Sequence, residues 1–494
     1  MKNKRDIAIF TMFGLAVFAG LLLFFSKINP LVVYDADDWL YVYELRKPIP
    51  LIHAWNPTKV FPETFMPLAS YFGALVINPR INNYCFSLTL AHALFSSLIL
   101  TLYFVHFPIL FYKREFASFK SSVIYGCFFF LLHFISHMVN GRNNPFALWS
   151  ENLTCFYNYT LPVALNAALV MHFMIYGGSK KWFEKSNLIH KFVVAVWIYF
   201  ALNSNLYSSV VLATYIGTEL FLILKRELKE KSFDLKTYCG CNWFNLLIIF
   251  CWVGTNILEL FGGRAGGMQK SFIINLPITM GMGVFSLVGK NIFLTILDIF
   301  VFVSWRKLHN KKLTPTAERF LYYIGFGLIY LTFLSAAVEP TYIFRPQITI
   351  CSFFYIFMGM IACLNELKKT NSKYKRAPLV LLGTLGLLFV FPGHLFCPYN
   401  YSILSYDKCE VLTNDIISQF NEAEQEGKSE IVLEIPKFTQ EGNWPLSDFI
   451  GERYANALYK HKITKSYITV KDLIITEEKN RELDIPMGKQ LFSL

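Results

Sequence analysis

Over most of its length this chain does not alternate apolar and polar residues at a helical or strand period. Apolar residues come in unbroken runs instead. Eleven runs lie near residues 7–25, 84–111, 121–138, 159–177, 191–203, 206–224, 244–261, 276–304, 320–338, 348–364 and 379–396. Several are about 20 residues long, the length a helix needs to cross a hydrocarbon core of roughly 30 Å. The pattern predicts an all-α polytopic membrane protein of about eleven transmembrane helices. The run at 276–304 is long enough to require a strong tilt or a break near Gly289-Lys290. The first run follows Lys2, Lys4 and Arg5. It exceeds a signal-peptide core and lacks a small-x-small cleavage site, so it is expected to stay as an anchor.

The polar segments between the runs fall into two sets. One carries clustered cations: Lys2/Lys4/Arg5, Lys113/Arg114/Lys120, Lys180/Lys181/Lys185/Lys191, Lys225 to Lys236, Arg306 to Arg319 and Lys368 to Arg376. The other holds 26–83, 139–158, Asn203-Ser204-Asn205, 262–275, 339–347 and the tail, with only scattered cations. Basic loops stay in the cytoplasm. The N-terminus is therefore expected inside the cell inner (plasma) membrane, with the second set and the C-terminal region extracytoplasmic. Residues 1–396 read as the transmembrane domain and 397–494 as a small outer α/β domain. In that tail the period changes: 410–427 has helical spacing, and Glu430–Pro436 and Ser466 to Ile475 read as strands.

Composition agrees. The chain of 494 residues is 54% hydrophobic and 16% charged, with a mean hydropathy of +0.40. Its net charge of +12 follows the loops and does not suggest nucleic acid. Cys397 and Cys409 are candidates for a disulfide at the start of the tail. Asn152, Asn158 and Asn400 begin glycosylation sequons. His133 and His137 are a candidate ligand pair without the Glu of a metalloprotease motif. There is no Gly-x-Ser-x-Gly elbow.

The chemistry-bearing residues belong to the outer set. Asp35, Asp37 and Asp38 sit within Tyr34-Asp35-Ala36-Asp37-Asp38-Trp39, just past the first run. Carboxylates this close repel, and burying one requires a compensating partner. They suit a general base acting on an acceptor hydroxyl, or a divalent cation (Mg or Mn) held by Asp35 and Asp37, or a helix N-cap with an acidic first turn. Trp149-Ser150-Glu151-Asn152 and Phe156-Tyr157-Asn158-Tyr159 pair aromatics with amides, which suits sugar faces or an interfacial aromatic belt. Gly262 to Gly267 surround Arg264 and read as an anion wrap or a flexible turn. Arg345 follows Glu339 in Glu339-Pro340-Thr341-Tyr342-Ile343-Phe344-Arg345-Pro346 and opens a span. It is suited to a phosphate, or to a lipid headgroup or Glu339.

Together, a first outer loop with paired acids, a many-span bundle and an outer C-terminal domain resemble the GT-C superfamily of membrane glycosyltransferases. More closely, the chain resembles bacterial polytopic proteins of the DUF6056 / Gtr-type group. The resemblance rests on Ala36-Asp37-Asp38-Trp39, Tyr157-Asn158-Tyr159, Phe344-Arg345-Pro346 and Trp444 to Tyr459. It implies a polyprenyl-phosphate sugar donor and inverting hexosyl transfer to a cell-surface glycan such as O-antigen or teichoic acid. Asp37 or Asp38 would be the base, Asp35 supporting or metal-linked, Arg345 the phosphate ligand, and Asn158 and Tyr159 pocket residues. Trp39, Glu151, Arg264 and Glu339 are expected around the same substrate. Trp55-Asn56-Pro57-Thr58-Lys59 falls where such proteins carry an Asn-Gly-Arg-like stretch, with Pro and Lys in place of Gly and Arg.

The competing class is a transporter or flippase of lipid-linked glycans. That class should show repeats and midplane ionisable groups. No repeat is visible, and the spans hold only Glu219, Glu259, Lys290 and Asp298 as candidates.

Overall fold

In a computed structural model of the chain, the structure describes residues 4–114, 117–137, 143–267, 271–288, 291–310, 312–390, 395–439 and 442–487. The helices in chain order are α1 (Lys4–Ile28), α2 (Ala36–Tyr41), α3 (Val60–Ile81), α4 (Tyr84–Lys113), α5 (Phe119–Ile135), α6 (Leu153–Tyr176), α7 (Ser179–Lys185), α8 (Leu188–Leu202), α9 (Leu206–Lys229) and α10 (Leu235–Glu259). They continue as α11 (Phe272–Val288), α12 (Ile292–Leu308), α13 (Pro315–Val338), α14 (Pro346–Thr370) and α15 (Ala377–Phe389). Among the described residues, eight helices are long and apolar enough to span a membrane, or nine if α11 and α12 count as one bent span. Helices α5 and α8 are shorter and apolar. Helices α6 and α14 form the centre, 83% buried over their apolar windows, and α1 and α10 form the rim at 22%. The rim's exposed Leu, Ile and Phe face outward, as lipid-facing positions do.

Side-chain contacts sort the helix ends into two poles. At one pole Tyr112 donates to Asp6 (2.7 Å), Arg114 Nε to the Ile175 carbonyl (2.8 Å), Lys225 pairs with Glu318 (2.6 Å), and His309 lies 3.1 Å from Glu366. At the other, Asn29 donates to the Cys397 carbonyl (3.0 Å), the Phe61 amide to the Asn203 carbonyl (2.9 Å), and Asn291 to the Ile135 carbonyl (2.6 Å). The clustered cations are thus gathered at a basic pole, and the two sets of segments read from the sequence separate in space.

Two elements depart from the sequence pattern. Residues 60–81, expected within an outer segment, form the apolar helix α3. It runs antiparallel to the first half of α4: Phe65 stacks on Phe95 at 5.3 Å, Ser70 bonds His92 at 3.1 Å, and Gly73 seats against Ser87 and Leu88. The expected long run at 276–304 is two helices bent by 83°. Asn275 on α11 bonds the Ala336 carbonyl at the end of α13, and Phe285 meets Phe344. Both ends of α11 therefore stay near the pole opposite the basic one, while α12 runs to the basic pole. Lys290 lies outside the described residues.

The tail follows the sequence reading. Helix α16 (Tyr406–Gln425), strand β1 (Glu430–Pro436), helix α17 (Ile450–Lys460), strand β2 (Thr469–Thr476) and helix α18 (Glu477–Glu482) build a two-stranded parallel sheet with a helical crossover. It packs on the bundle through Trp39 of α2, whose ring lies 4.6 Å from Tyr454, and through a hydrogen bond of 2.6 Å between Tyr84 and His461. Cys397 and Cys409 are both buried and free, so the proposed disulfide is absent.

Candidate functional site

Helix α2 begins where an extended Asp35 precedes Ala36, as an N-cap should. Asp38 is fully buried and receives four donors. Its Oδ1 accepts from the Thr154 amide and hydroxyl, both at 2.7 Å. Its Oδ2 accepts from the Tyr34 and Asp35 amides, both at 3.2 Å. Asp35 is equally buried and accepts from Asn152 at 2.8 Å and from the Tyr401 amide at 3.5 Å. Burial, then the Asp38 charge, push the Asp35 carboxyl well above its ordinary range, against the bonds from Asn152 and Tyr401. Burial pushes Asp38 up to about 6, against its four donors. The four donors favour the charged form on Asp38 more than the two bonds to Asp35 do on that residue.

This corrects the expectation for two of the three acids. Asp38 has no free lone pair for a substrate proton, and neither it nor Asp35 is among the residues that line the cleft onto which Asp37 opens. Asp35 is buried while Asp37 is partly exposed and paired with Arg453, and among the described residues no three His, Cys, Asp or Glu side chains form a metal-binding group. Trp39 is buried under Tyr454 and Tyr84, not offered to a substrate. Asn152 and Asn400 are buried and hydrogen-bonded, so those sequons are closed in the folded chain.

Asp37 points the other way. Its side chain is 46% exposed and pairs with Arg453 of α17 at 3.1 Å. It lines a cleft of about 1310 Å³ of open space with Glu151, Asn158, Tyr159, Arg264 and Arg345, all read as site residues from the sequence. The fold also brings in Trp55, Asn56, Lys59, Tyr401, Trp444 and Arg453. Asn158 is 7% exposed, and its Oδ1 has no hydrogen-bond partner. An orphaned buried acceptor on a cavity wall is an unmet demand for a donor.

Charge in the cleft is uneven. Arg345 pairs with buried Glu151 at 2.9 Å and lies 4.1 Å from the Tyr342 ring centre. Burial raises the Glu151 carboxyl above its usual range, against the pull of Arg345. With Asp37 paired to Arg453, Arg264 and Lys59 are left without a carboxylate ion pair among the described residues. Burial, then the nearby Arg264 charge, bring the Lys59 ammonium down to about 7, while Glu63 and Glu259 act in the opposite direction.

Lys59 is held by its loop. Arg46 donates to the Asn56 and Pro57 carbonyls and pairs with Glu63 at 2.8 Å. Glu259 accepts from the Thr58 amide at 2.7 Å and from its hydroxyl. Arg264 is delivered from the other side. The Gly263 and Arg264 amides bond the Ala54 and Trp55 carbonyls at 3.1 and 3.4 Å. Those amides are therefore occupied and do not wrap an anion; the guanidinium alone faces the cleft, bonding Asn56 Oδ1 at 3.3 Å.

A second cleft, of about 1180 Å³, shares Lys59, Tyr159, Arg264 and Tyr342 with the first. It continues between α10 and α13 past Leu206, Leu260, Leu334 and Val338. Glu339 lies on this second cleft, where it caps residues 340–344 by accepting from Thr341. Of the acids within spans that a transporter would use, Glu259 ends α10, and Glu219 lies within α9, where it accepts from the Tyr323 hydroxyl. Asp298 lies within α12, with one oxygen unpartnered.

Lys59 was missed as a site residue although its segment stood out. Arg453 and Tyr401 had no assigned role, because only the packing of the tail on α2 brings them to Asp37.

The class that the fold defines is a helical polytopic protein with a small α/β tail. No protein-family model, curated protein or solved structure matches the chain.

Proposed function

We propose that the chain is a membrane glycosyltransferase that moves a sugar from a polyprenyl-phosphate donor to a cell-surface glycan on the outer face of the membrane. The observation that carries this reading is the position of the two cations without ion pairs. Lys59 and Arg264 sit where the polar cleft meets the apolar one. A lipid phosphate matches that junction: its chain takes the apolar cleft, its phosphate meets the cations, and its sugar enters the polar chamber beside Asp37.

The phosphate gains charge as the glycosidic bond breaks, and fixed cations stabilise that charge. Asp37 takes the proton of the incoming hydroxyl, with Arg453 orienting its carboxylate. Asn158 Oδ1 accepts from a sugar hydroxyl. Trp55, Trp444 and Tyr401 supply ring faces for the glycan. Arg345, ion-paired to Glu151, shapes the chamber, and the donor phosphate falls to Arg264 and Lys59. Asp38 and Asp35 hold α2 against the 152–155 turn so that Asp37 faces the cleft.

The test is mass analysis of surface glycans from cells with and without the protein, together with the Asp37→Asn and Arg264→Ala variants. The expected result is a hexose lost in the deletion and in Asp37→Asn, with transfer down about 100-fold or more, and an increased donor requirement in Arg264→Ala. Identical glycans with and without the protein would remove the reading.

A further inference from the structure

The basic pole holds a second pair of joined cavities that the transfer reaction does not use. One is a chamber of about 960 Å³ between the ends of α4, α6, α9 and α13. Three cations line it, Arg114, Lys181 and Arg319, against one carboxylate, Glu219. Glu219 is occupied: it accepts from the Tyr323 hydroxyl at 2.8 Å and lies 3.7 Å from Arg319 Nε. Arg114 and Lys181 have no carboxylate partner among the described residues.

Arg114 is held ready by the backbone. Its Nε donates to the Ile175 carbonyl at 2.8 Å. Its terminal nitrogens lie against Gly177, where an added Cβ would sit 2.6 Å from Nη2. Gly177 ends α6 with φ +87°, a conformation that favours glycine, and its missing side chain leaves room for the guanidinium.

Thr316, Phe320 and Ala362 join this chamber to a mostly apolar slot of about 780 Å³ between α12, α13 and α14, whose wall also carries Asp298 and a Glu366 occupied by Trp305 and His309. Leu321 on its wall is 45% exposed, so the slot reaches the surface of the bundle.

We infer that this pole binds the phosphate head of a second anionic lipid, with its head on Arg114 and Lys181 and its chain in the slot. In the chamber, two cations without carboxylate partners, next to a slot whose walls are mostly apolar, are complementary to one molecule that carries both a phosphate and a hydrocarbon chain. A free phosphate would use the chamber and leave the slot without a role. The site lies at the opposite pole from the transfer cleft and does not depend on the proposed activity.

Full-length protein in phosphatidylcholine nanodiscs containing phosphatidic acid provides the test, with retained lipid counted by native mass spectrometry. Wild type is expected to retain one phosphatidic acid, and Arg114→Gln/Lys181→Gln to retain it about tenfold less, with phosphatidylcholine retention unchanged. Ala317→Phe, which fills the slot, is expected to give the same loss. Equal phosphatidic acid retention by wild type and the double variant overturns the inference. So does full displacement by millimolar inorganic phosphate with Ala317→Phe without effect, because the ligand is then a free anion. Asp37→Asn is expected to bind the lipid as wild type does, which separates this result from failure of the transferase reading.

Discussion

At the residue scale, three aspartates within four positions have two different fates. Asp38 is saturated by four donors and Asp37 is half open to a cleft. Their conservative variants should therefore differ. Asp38→Asn turns an amide NH₂, on whichever side it lies, toward at least one backbone amide that can only donate, leaving buried donors unmet; a loss of roughly 3 kcal/mol is expected. Thermal unfolding in detergent measures it, and Asp37→Asn should unfold as wild type does. Equal stability of both variants would show that Asp38 is not the strut described here. The sequence displayed the acids and their cap; it could not display which one faced out, because Thr154 and Asn152 lie more than a hundred residues away.

Lys59 gives a pH dependence of definite sign. Its ammonium, brought down to about 7, is charged below that pH and neutral above it. A bound phosphate favours the charged form, so donor binding takes up a proton and weakens as pH rises. Between pH 6 and 8 the apparent donor KM should increase about tenfold, as the charged fraction of Lys59 falls from about nine-tenths to about one-tenth. Lys59→Arg, charged throughout this range, should flatten the profile. Steady-state kinetics across that interval decide it, and a flat wild-type profile would take Lys59 off the phosphate.

At the scale of elements, the tail strands and most apolar helices were legible because each follows from local period or run length. Helix α3 was not. Pro62, Glu63, Pro67 and Gly73 interrupt its apolar run, and its helicity depends on packing along α4, a non-local contact. The loop pair 54–59 and 262–264 was illegible for the same reason. Gly262 allows their approach: an added Cβ would lie 2.8 Å from Pro57 Cγ and closer still to its Cδ. A rigid proline ring cannot swing aside, so Gly262→Ala should push the Arg264 loop from Lys59. The expected outcome is a donor KM raised about tenfold, with roughly 1–3 kcal/mol lost from stability. Unchanged donor kinetics would mean that the junction of the two clefts is not where the phosphate sits.

At the scale of the whole molecule, the separation of the poles makes orientation the decisive variable. The sequence sorted its loops by charge, and the fold gathers each set at its own end; charge bias alone assigns those ends to compartments. The protein carries its own reporters. Cys239 and Cys241 are exposed on the first turns of α10, in the basic set. Trp55 is 66% exposed at the mouth of the cleft. In intact cells, a membrane-impermeant maleimide should label a Trp55→Cys variant at once, and Cys239 and Cys241 only after permeabilisation. Mass mapping of the labelled peptides distinguishes them. The reverse pattern would put Asp37 and both cations beside a cytoplasmic pool of nucleotide sugars, where a lipid-linked donor has no necessity, and the outer-face reaction would be lost.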